Sequence, residues 1–360
     1  IKIGVIGCGE IAEAHIKRLA EVEGASVTAV SSRNRTNGEV KAALVRELGA
    51  GTGPGPLIYT DYEELIKDTN VDGVIICTPP CAHLEPTLFA AKHGKHVYCE
   101  GPIAGDLREA DAMIEAAREA GIKFTIQYGT RFDKAAHTAR HAINTGKLGK
   151  VFLAKTDVLW YRPQAYFEKD AWRGTWAGER GGVTMHHGRY TIDLYLWLMG
   201  EVSEVYAHMG TFTHDIEIED CSTAVLKFKS GALGQITATT SAHSGIAPMN
   251  RIEIFGEKGS VCVLPEWALA SKDKKYEKQL AEELEGKELG PDGGAQAQTQ
   301  DWISAIREDR EPFISAESTC AQVEVARAVY KSAATGMPVT LPLADDDPYG
   351  FAENPLDLTS

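Results

Sequence analysis

The stretch GVIGCGEIA, near the start of the chain, has residue types and a spacing that suit the binding of a dinucleotide. Gly7, Gly9 and Ala12 follow an apolar run and open a helical pattern, as the fingerprint G-x-G-x-x-G/A requires. Glycine at position 7 permits a tight turn, and Gly9 lets backbone N–H groups approach a pyrophosphate at a helix N-terminus. The stretch therefore predicts an NAD(P) site, and a tight packing turn is the alternative.

The end of the second strand-like run bears on the choice between NAD and NADP. An acidic residue there would bind the ribose 2′-hydroxyl of NAD, but this chain reads AVSSRN, with Ser32 and Arg33 at that place. A guanidinium makes charge-assisted hydrogen bonds to a 2′-phosphate. We therefore expect NADP or NAD, with NADP favoured, and a solvent-exposed loop arginine is the alternative reading of Arg33.

The elements that position these residues alternate regularly over residues 1–125. Short, continuously apolar runs such as IKIGVIG, DGVIICT and KHVYC are separated by longer amphipathic runs. This order is typical of parallel strands covered on both faces and joined by right-handed helical crossovers. We predict an α/β fold whose residues 1–125 form a Rossmann domain with a doubly wound parallel sheet.

The pattern changes after about residue 150, where strand-like runs alternate apolar with polar residues. Such alternation indicates an open, mainly antiparallel sheet with one exposed face. We assign 126–343 to a second α/β domain for substrate binding and oligomerisation, with a C-terminal helix that can pack back on the first domain. The run GGVTMHHGRYTIDLYLWLMG is predicted as one amphipathic helix bounded by glycines, and 344–360 as an acidic, extended tail.

Composition excludes several classes of partner. The 37 basic and 51 acidic residues give a net charge of −14, which argues against nucleic acid or an anionic membrane surface. No apolar run is long enough to span a bilayer, and the opening residues do not resemble a signal peptide, so we expect a cytoplasmic protein. The seven cysteines are scattered without metal-type spacing, and we interpret them as reduced core thiols.

Several motifs then occur in a known order, namely ICTPPCAHLE, KHVYCEGP, YGTRFD, WRGTWAGERGGVTMHHGRYTIDLYLWLMG and RIEIFGEKGSV. Over nearly its whole length the chain resembles the Gfo/Idh/MocA family, which includes glucose–fructose oxidoreductase and inositol dehydrogenase. The resemblance implies hydride transfer between a nicotinamide and a sugar, glycoside or cyclitol. It also implies homo-oligomers, dimers or tetramers, formed through the open sheet.

The chain departs from the family pattern at two motifs. Members usually read Glu-Lys-Pro where this chain has Glu100-Gly101-Pro102, and that lysine normally helps to polarise the reacting hydroxyl. In the second motif, His186 and Tyr190 replace the usual Asp and His, and Asp193 retains the second Asp. Offsets of 0, 4 and 7 lie on one helical face, so these three side chains are expected to share one wall of a cleft.

The resemblance implies an acid/base role for this wall. Oxidation of a secondary alcohol needs a base for the hydroxyl proton, and a free tyrosine has a pKa of about 10, too high unless a cation lies close. We predict Tyr190 and His186 as the catalytic pair, with His186 stabilising a phenolate or acting as the base itself. His187, Arg189 and Lys155 are further candidates to replace the lysine. The alternative is that His186 and Tyr190 are merely packing residues.

Other candidate contacts follow from residue type and position. Aromatic planes and a guanidinium suit a sugar ring, and residues after the last strand of a parallel sheet lie where ligands bind. The predicted substrate contacts are Tyr128, Arg131, Trp172, Arg173, His187, Asp193 and His214. The predicted cofactor contacts are Gly7, Cys8, Gly9, Glu10, Ile11, Ser32, Arg33, Thr78, Pro79, His83, Glu100 and Gly101.

A metal site is considered and not expected. His186, His187 and His214 could meet at a divalent cation with Asp220 or Glu217. Adjacent histidines on a helix point about 100° apart, however, and nothing in the sequence fixes their mutual distances.

Our functional prediction is an NAD(P)-dependent oxidoreductase of sugars, glycosides or cyclitols. Two alternatives remain open. One is an enzyme whose tightly bound cofactor is recycled while a keto-sugar or glycoside is cleaved or undergoes elimination. The other is a non-enzymatic regulator that senses NAD(P) or a sugar, because loss of the motif lysine is compatible with lost catalysis.

Overall fold

A computed structural model describes residues 1–243 and 249–344 of the chain. The predicted acidic tail therefore lies outside the described residues, apart from Ala344. Within these ranges, no helix is both long enough and apolar enough to cross a membrane. The chain forms two compact units, which are taken in turn below.

The elements are numbered in chain order. The strands are β1 (Lys2–Ile6), β2 (Ser26–Ser31), β3 (Leu57–Tyr59), β4 (Gly73–Ile76), β5 (His96–Cys99), β6 (Phe124–Ile126), β7 (Val151–Leu159), β8 (Val202–Gly210), β9 (Cys221–Phe228), β10 (Leu233–Thr239), β11 (Asn250–Gly256), β12 (Ser260–Leu264), β13 (Ala268–Ala270) and β14 (Val339–Thr340). The helices are α1 (Glu10–Ala20), α2 (Arg35–Glu47), α3 (Tyr62–Lys67), α4 (Leu84–Lys92), α5 (Leu107–Glu119), α6 (Lys134–Asn144), α7 (Gln164–Phe167), α8 (Trp176–Glu179), α9 (Arg189–Met199), α10 (Lys274–Leu284), α11 (Gly294–Glu308) and α12 (Cys320–Thr335).

The first unit contains a six-stranded sheet of order β3-β2-β1-β4-β5-β6, in which every neighbouring pair is parallel. Its central strands are buried almost throughout, and all four residues of β4 are buried. Continuous burial is what a strand covered on both faces requires. The predicted doubly wound Rossmann sheet is confirmed.

A late segment of the chain completes this unit, which consists of Ile1–Gln127 and Ala295–Cys320. Trp302 of α11 packs edge-on against Tyr98 of β5, with ring centroids 5.5 Å apart. Its indole N–H donates a hydrogen bond of 3.3 Å to the carbonyl of Lys123. Residues far apart in sequence therefore share one core, which alternating elements in residues 1–125 alone do not reveal.

The second unit combines Tyr128–Gly294 with the described residues after Cys320. Its eight-stranded sheet has the order β13-β12-β11-β7-β10-β9-β8-β14, and only the β10–β7 pair is parallel. On β9, alternate residues are buried, and between them Val225 is 55% exposed. This confirms the prediction of a mainly antiparallel sheet with one open face.

The run predicted as one amphipathic helix is divided in the structure. Residues Val183–His187 form a wide π-type turn, Gly188 follows, and α9 begins at Arg189. The N–H of Gly188 bonds to the carbonyl of Val183, five residues earlier, at 2.6 Å. One additional residue in a turn rotates the preceding side chains by about 100° relative to the following helix. A single regular helix therefore no longer relates His186, Tyr190 and Asp193, and the wall that they are expected to share stays a prediction.

Candidate functional site

In the first unit, the predicted cofactor residues gather along one edge of the sheet. Gly7 follows β1, Ser32 follows β2, Thr78 follows β4 and Glu100 follows β5. The sheet order reverses at β1, which lies between β2 and β4. In open α/β sheets, ligands bind beyond the carboxyl ends of the strands at such a switch point.

The two glycines of the first turn have different physical roles. Gly7 has a φ of +90°, and an added Cβ would lie 2.9 Å from the carbonyl carbon of Cys77. The position therefore requires glycine because of both conformation and space. Gly9 caps α1 without any side-chain hydrogen bond, and an added Cβ there would meet nothing within 4 Å. Open space before uncapped N–H groups is what a pyrophosphate needs, so the turn fits the predicted dinucleotide.

Of the other predicted cofactor residues in this turn, Cys8 is buried, and Glu10 and Ile11 are exposed. The buried thiol of Cys8 donates to the carbonyl of Ser31 at 3.4 Å, and burial raises the pKa of this thiol to about 11. Glu10 and Ile11 are exposed at the start of α1. The Cys8 side chain is therefore engaged within the sheet, and contact of this residue with the cofactor stays a prediction.

The segment after β2 leaves Arg33 on the surface. The N–H of Ser32 bonds to the carbonyl of Tyr59 at 3.1 Å, and Asn34 caps α2 by accepting from the N–H of Thr36 at 3.0 Å. The Arg33 side chain is exposed next to this fixed backbone. This position suits an arginine that binds the 2′-phosphate of NADP, and it equally suits a solvent-exposed loop arginine.

Glu100 and His83 are buried supports of the loops after β4 and β5. Glu100 accepts a hydrogen bond of 2.6 Å from His15. The ring nitrogens of His83 lie 3.0 Å from the carbonyl oxygens of Pro102 and Thr78, and burial lowers the pKa of this imidazole. Both side chains are therefore buried and hold the loops, and their contact with the cofactor stays a prediction.

Two more predicted positions lie in the same loops. Thr78 uses its hydroxyl to bond the carbonyl of Ala82 at 2.8 Å, and Pro79 is partly exposed beside it. Gly101 is buried immediately after β5. Thr78 and Pro79 therefore remain candidates for contact with the cofactor, and Gly101 leaves the place of the usual lysine without a side chain.

In the second unit, Glu179, His186 and His187 form a buried group that we call the carboxylate–histidine cluster. His186 donates from Nδ1 to Glu179 Oε1 at 2.5 Å, and Nε2 of His187 lies 3.0 Å from the same oxygen. The other carboxylate oxygen of Glu179 accepts from the N–H of Gly174 at 2.7 Å. One carboxylate thus orients His186 through a hydrogen bond and lies against the ring of His187.

The protonation states follow from burial and from these hydrogen bonds. Burial alone would raise the pKa of Glu179, but the two histidines outweigh it and hold that pKa well below its usual value. Burial lowers the pKa of His186 to about 4, even though Glu179 opposes the shift. Near neutral pH, His186 is a neutral imidazole that donates to an ionised carboxylate. With Nδ1–H so engaged, Nε2 keeps a lone pair.

The cluster is also a possible donor set for a metal. One carboxylate oxygen and two imidazole nitrogens lie within 4.8 Å of one another, and zinc or iron accepts such donors. The positive charge of Arg189 acts on His186 and disfavours a further cation there. The absence of a metal therefore stays our prediction, now stated for this set of residues.

The metal set considered from the sequence is not assembled. The ring nitrogens of His214 lie 2.9 Å from Asp220 Oδ2 and 2.7 Å from the carbonyl oxygen of Arg162. His214 therefore clamps the backbone and does not join His186 and His187. The side chain of His214 is buried and both ring nitrogens are engaged, and its contact with substrate stays a prediction.

Arg189 places its cation directly against Tyr190. The guanidinium donates to the Tyr190 hydroxyl at 2.7 Å, and its central carbon lies 4.2 Å from the centre of the same ring. A second guanidinium nitrogen donates to the carbonyl of His186 at 2.6 Å. One side chain thus joins the two predicted catalytic residues, and it supplies a positive charge beside the phenol.

Behind Tyr190 lie three predicted substrate contacts that are buried. Tyr128 packs edge-on against Tyr190 at 5.9 Å and donates to Gln322 at 3.2 Å. Arg131 donates to both carboxylate oxygens of Asp193, at 2.7 and 2.5 Å. These buried partners support the helix that carries Tyr190, and direct contact of the three with substrate stays a prediction.

The remaining predicted contacts belong to a partly exposed group that we call the arginine–aromatic cluster. Its members are Trp160, Arg162, Tyr166, Trp172 and Arg173. The central guanidinium carbon of Arg162 lies 4.8 Å from the ring of Trp160 and 5.0 Å from that of Tyr166. That of Arg173 lies 4.2 Å from Tyr166 and 4.4 Å from Trp172. The two guanidinium groups therefore share one tyrosine ring.

This cluster adjoins the carboxylate–histidine cluster. Trp172 and His186 have ring centroids 5.9 Å apart, and Tyr166 and His187 have theirs 5.6 Å apart. His187 itself is buried among these rings, so it forms a wall and does not present a free imidazole. Contact of His187, Trp172 and Arg173 with a sugar stays a prediction, with His187 buried and the other two partly exposed.

Sequence reasoning missed Glu179 and Arg162. Glu179 precedes His186 by seven residues, but the Gly-Gly turn between them breaks any helical period that would relate the two side chains. Arg162 lies in WYRPQAY, where aromatic residues flank a cation directly after a strand. That interleaving was a readable signal for a ring-stacked guanidinium.

Comparison with known proteins identifies the family of the chain. Residues 1–128 match the oxidoreductase family with an NAD-binding Rossmann fold, and residues 136–262 match the GFO/IDH/MocA C-terminal domain. The myo-inositol 2-dehydrogenase of Thermotoga maritima is 33% identical over 72% of this chain and 74% of its own. The 1,5-anhydro-D-fructose reductase of Ensifer adhaerens is 29% identical over 92% of this chain and 96% of its own.

A solved structure extends the likeness to three dimensions. The WlbA dehydrogenase from Bordetella pertussis, in complex with NADH and UDP-GlcNAcA, is 27% identical with a TM-score of 0.83. The match covers 96% of this chain and 98% of that one. The chain therefore belongs to the Gfo/Idh/MocA family of oxidoreductases with an NAD-binding Rossmann fold.

Proposed function

We propose that this protein transfers hydride between NAD(P) and a hydroxyl or keto carbon of a sugar, glycoside or cyclitol, with Tyr190 as the acid/base residue. The first unit supplies the glycine turn for the dinucleotide. The second unit supplies the proton-transfer group. The observation that carries the proposal is the 2.7 Å hydrogen bond from Arg189 to the Tyr190 hydroxyl.

This hydrogen bond offers a replacement for the lysine missing at Gly101. A cation beside a phenol favours the ionised phenolate, which is the form that can accept the substrate's hydroxyl proton. Arginine remains charged at every physiological pH, so its support does not titrate away. The edge-on packing of Tyr128 against Tyr190 orients the phenol.

His186 has a supporting part in the same proposal. Its neutral ring donates to Glu179, which leaves the other nitrogen able to accept a hydrogen bond from a substrate hydroxyl or to relay a proton. The nicotinamide, when bound, supplies the hydride chemistry. The chain's own groups bind, orient and deprotonate the alcohol.

The relatives support the substrate class. They include dehydrogenases or reductases named for inositols and for an anhydro-fructose. The direct test mixes the purified protein with NAD or NADP and a panel of hexoses, sugar acids, cyclitols and glycosides, with reduced-nicotinamide absorbance as the readout. Turnover with one class is expected. Silence across the panel, with dinucleotide retained through purification, would favour cofactor recycling or a sensor instead.

For the cofactor we propose NADP over NAD, on the strength of the exposed Arg33 after β2. Arg33→Ala is expected to weaken NADP binding about tenfold and NAD binding little, because only NADP carries the 2′-phosphate. Titration of both reduced cofactors by fluorescence measures this. Equal effects on the two would remove the preference.

We also propose a homo-oligomer formed through the open sheet, and a cytoplasmic location. On the open face, Tyr206, Val225 and Leu233 are 38%, 55% and 54% exposed, an apolar patch that a second copy would cover. All seven cysteines are free thiols, which suits a reducing compartment. Light scattering of wild type and Val225→Lys tests the first proposal, because a charge in the patch should yield smaller particles.

A further inference from the structure

The arginine–aromatic cluster holds a cation without a carboxylate partner. Among the residues that the structure describes, the guanidinium of Arg162 makes no ion pair and no hydrogen bond, and its Nε is buried. Its contacts are the rings of Trp160 and Tyr166. Removing a charged group from water is costly unless another group compensates it.

The backbone of Arg162 is held firmly in place. Its N–H donates to the carbonyl of Thr240 at 2.8 Å, and its carbonyl accepts from His214 at 2.7 Å. His214 is in turn held by the buried carboxylate of Asp220 at 2.9 Å. A guanidinium on a pinned backbone between two rings is oriented in advance, so little conformational entropy is lost when it binds a ligand.

Positive charge is concentrated here in a protein that is acidic overall. The chain carries a net charge of −14, yet Arg162 and Arg173 both lie against the ring of Tyr166. A third arginine, Arg189, bonds to the carbonyl of His186 in the neighbouring carboxylate–histidine cluster. Of these arginines, Arg173 forms an ion pair with Asp170, with its Nε 3.1 Å from a carboxylate oxygen. A neutral sugar would leave the charge on Arg162 uncompensated.

We infer that the arginine–aromatic cluster binds an anionic group of the substrate, a carboxylate or a phosphate. This rests on the proposed function and narrows its substrate class to charged sugars. A guanidinium carries N–H donors in one plane, and these match the oxygens of a carboxylate or a phosphate in a bidentate manner. The aromatic rings provide apolar surface for the sugar ring itself.

The experiment measures binding separately from turnover. The full chain, saturated with reduced cofactor, is titrated by calorimetry with three matched probes: D-glucuronate, D-glucose 6-phosphate and neutral D-glucose. At least one charged probe should bind tenfold or more tightly than glucose. Whether the carboxylate or the phosphate is preferred identifies the anion.

Variants assign the preference to Arg162. Arg162→Ala should abolish the difference between charged and neutral probes, and Arg162→Lys should keep part of it. Arg140→Ala is the matched control, because Arg140 also stacks on a tryptophan, Trp197 at 3.8 Å, outside the cluster. Thermal melting of each variant shows that it folds.

The outcomes separate this inference from the proposed function. Equal binding of charged and neutral probes, no binding of either charged probe, or full discrimination retained in Arg162→Ala would overturn the inference, even if the enzyme oxidises neutral sugars. Charge-selective binding that depends on Arg162 supports the inference. If charged sugars bind through Arg162 but no sugar reduces or oxidises the cofactor, the proposed function fails and the inference about the anionic group stands.

Discussion

The glycine turn of the first unit and the two clusters of the second unit are built in different ways. The turn acts through its backbone: Gly7 adopts a conformation that favours glycine, and Gly9 leaves space open. The clusters act through side chains that come from separate segments, around residues 160–173, 179–190 and 214–220. A backbone site is local in sequence, whereas a side-chain site depends on tertiary structure.

This difference explains what could be predicted. Gly7 and Gly9 were identified from spacing alone, because a strand, a tight turn and a helix N-terminus are adjacent in the chain. The parallel and antiparallel sheets followed in the same way from continuous and alternating apolar runs. Both sheets were confirmed.

The second site could be predicted only in part. Tyr190 and His186 were selected by resemblance, but the π-type turn before Gly188 was not foreseen. The partner of each group was not predictable either, because Glu179 and Asp220 are brought in by folding. The pairing of Arg131 with Asp193 could not be predicted from sequence either, since charge alone does not indicate burial.

The largest effect on turnover is expected when Tyr190 loses the positive charge of Arg189 beside it. Arg189→Met should lower turnover about a hundredfold and move the pH of half-maximal rate to more alkaline values, because the phenolate of Tyr190 loses its positive neighbour. Arg189→Lys should recover part of the rate. A pH–rate profile of the three proteins measures this, and an unshifted profile in Arg189→Met would break the proposed pairing.

The second effect concerns stability, and it follows from the buried carboxyl group of Glu219 beneath the Gly-Gly turn. Burial raises the pKa of Glu219 to about 7, although the N–H groups of Thr184 and Gly182 oppose the shift. The folded protein then holds this proton over a pH range in which the unfolded chain has released it. Unfolding free energy should therefore fall as pH rises from about 5 to 8, by about 3 kcal/mol from this group.

Glu219→Gln removes this dependence, and urea unfolding at pH 5, 6, 7 and 8 measures it. The variant should be less stable than wild type at pH 5 and should lose less stability on the way to pH 8. The exposed neighbour Glu217→Gln serves as the control and should follow wild type. Parallel curves for wild type and Glu219→Gln would show that Glu219 does not titrate in this range.

A smaller effect is expected in the backbone site, and it should leave folding intact. Gly9→Ala places a methyl group where the structure has nothing within 4 Å, so the melting temperature should stay near that of wild type. The same methyl group would obstruct a pyrophosphate, and affinity for NADH should fall about tenfold. Fluorescence titration with NADH provides the measurement, and unchanged affinity would contradict the assignment of this turn.

The most direct test of the central claim is the turnover number of Tyr190→Phe with the substrate found in the sugar panel. This change removes only the hydroxyl that accepts the hydrogen bond from Arg189. We expect turnover to fall by a hundredfold or more, with NADH affinity and melting temperature close to wild type. A Tyr190→Phe enzyme that turns over at the wild-type rate would exclude Tyr190 as the acid/base residue.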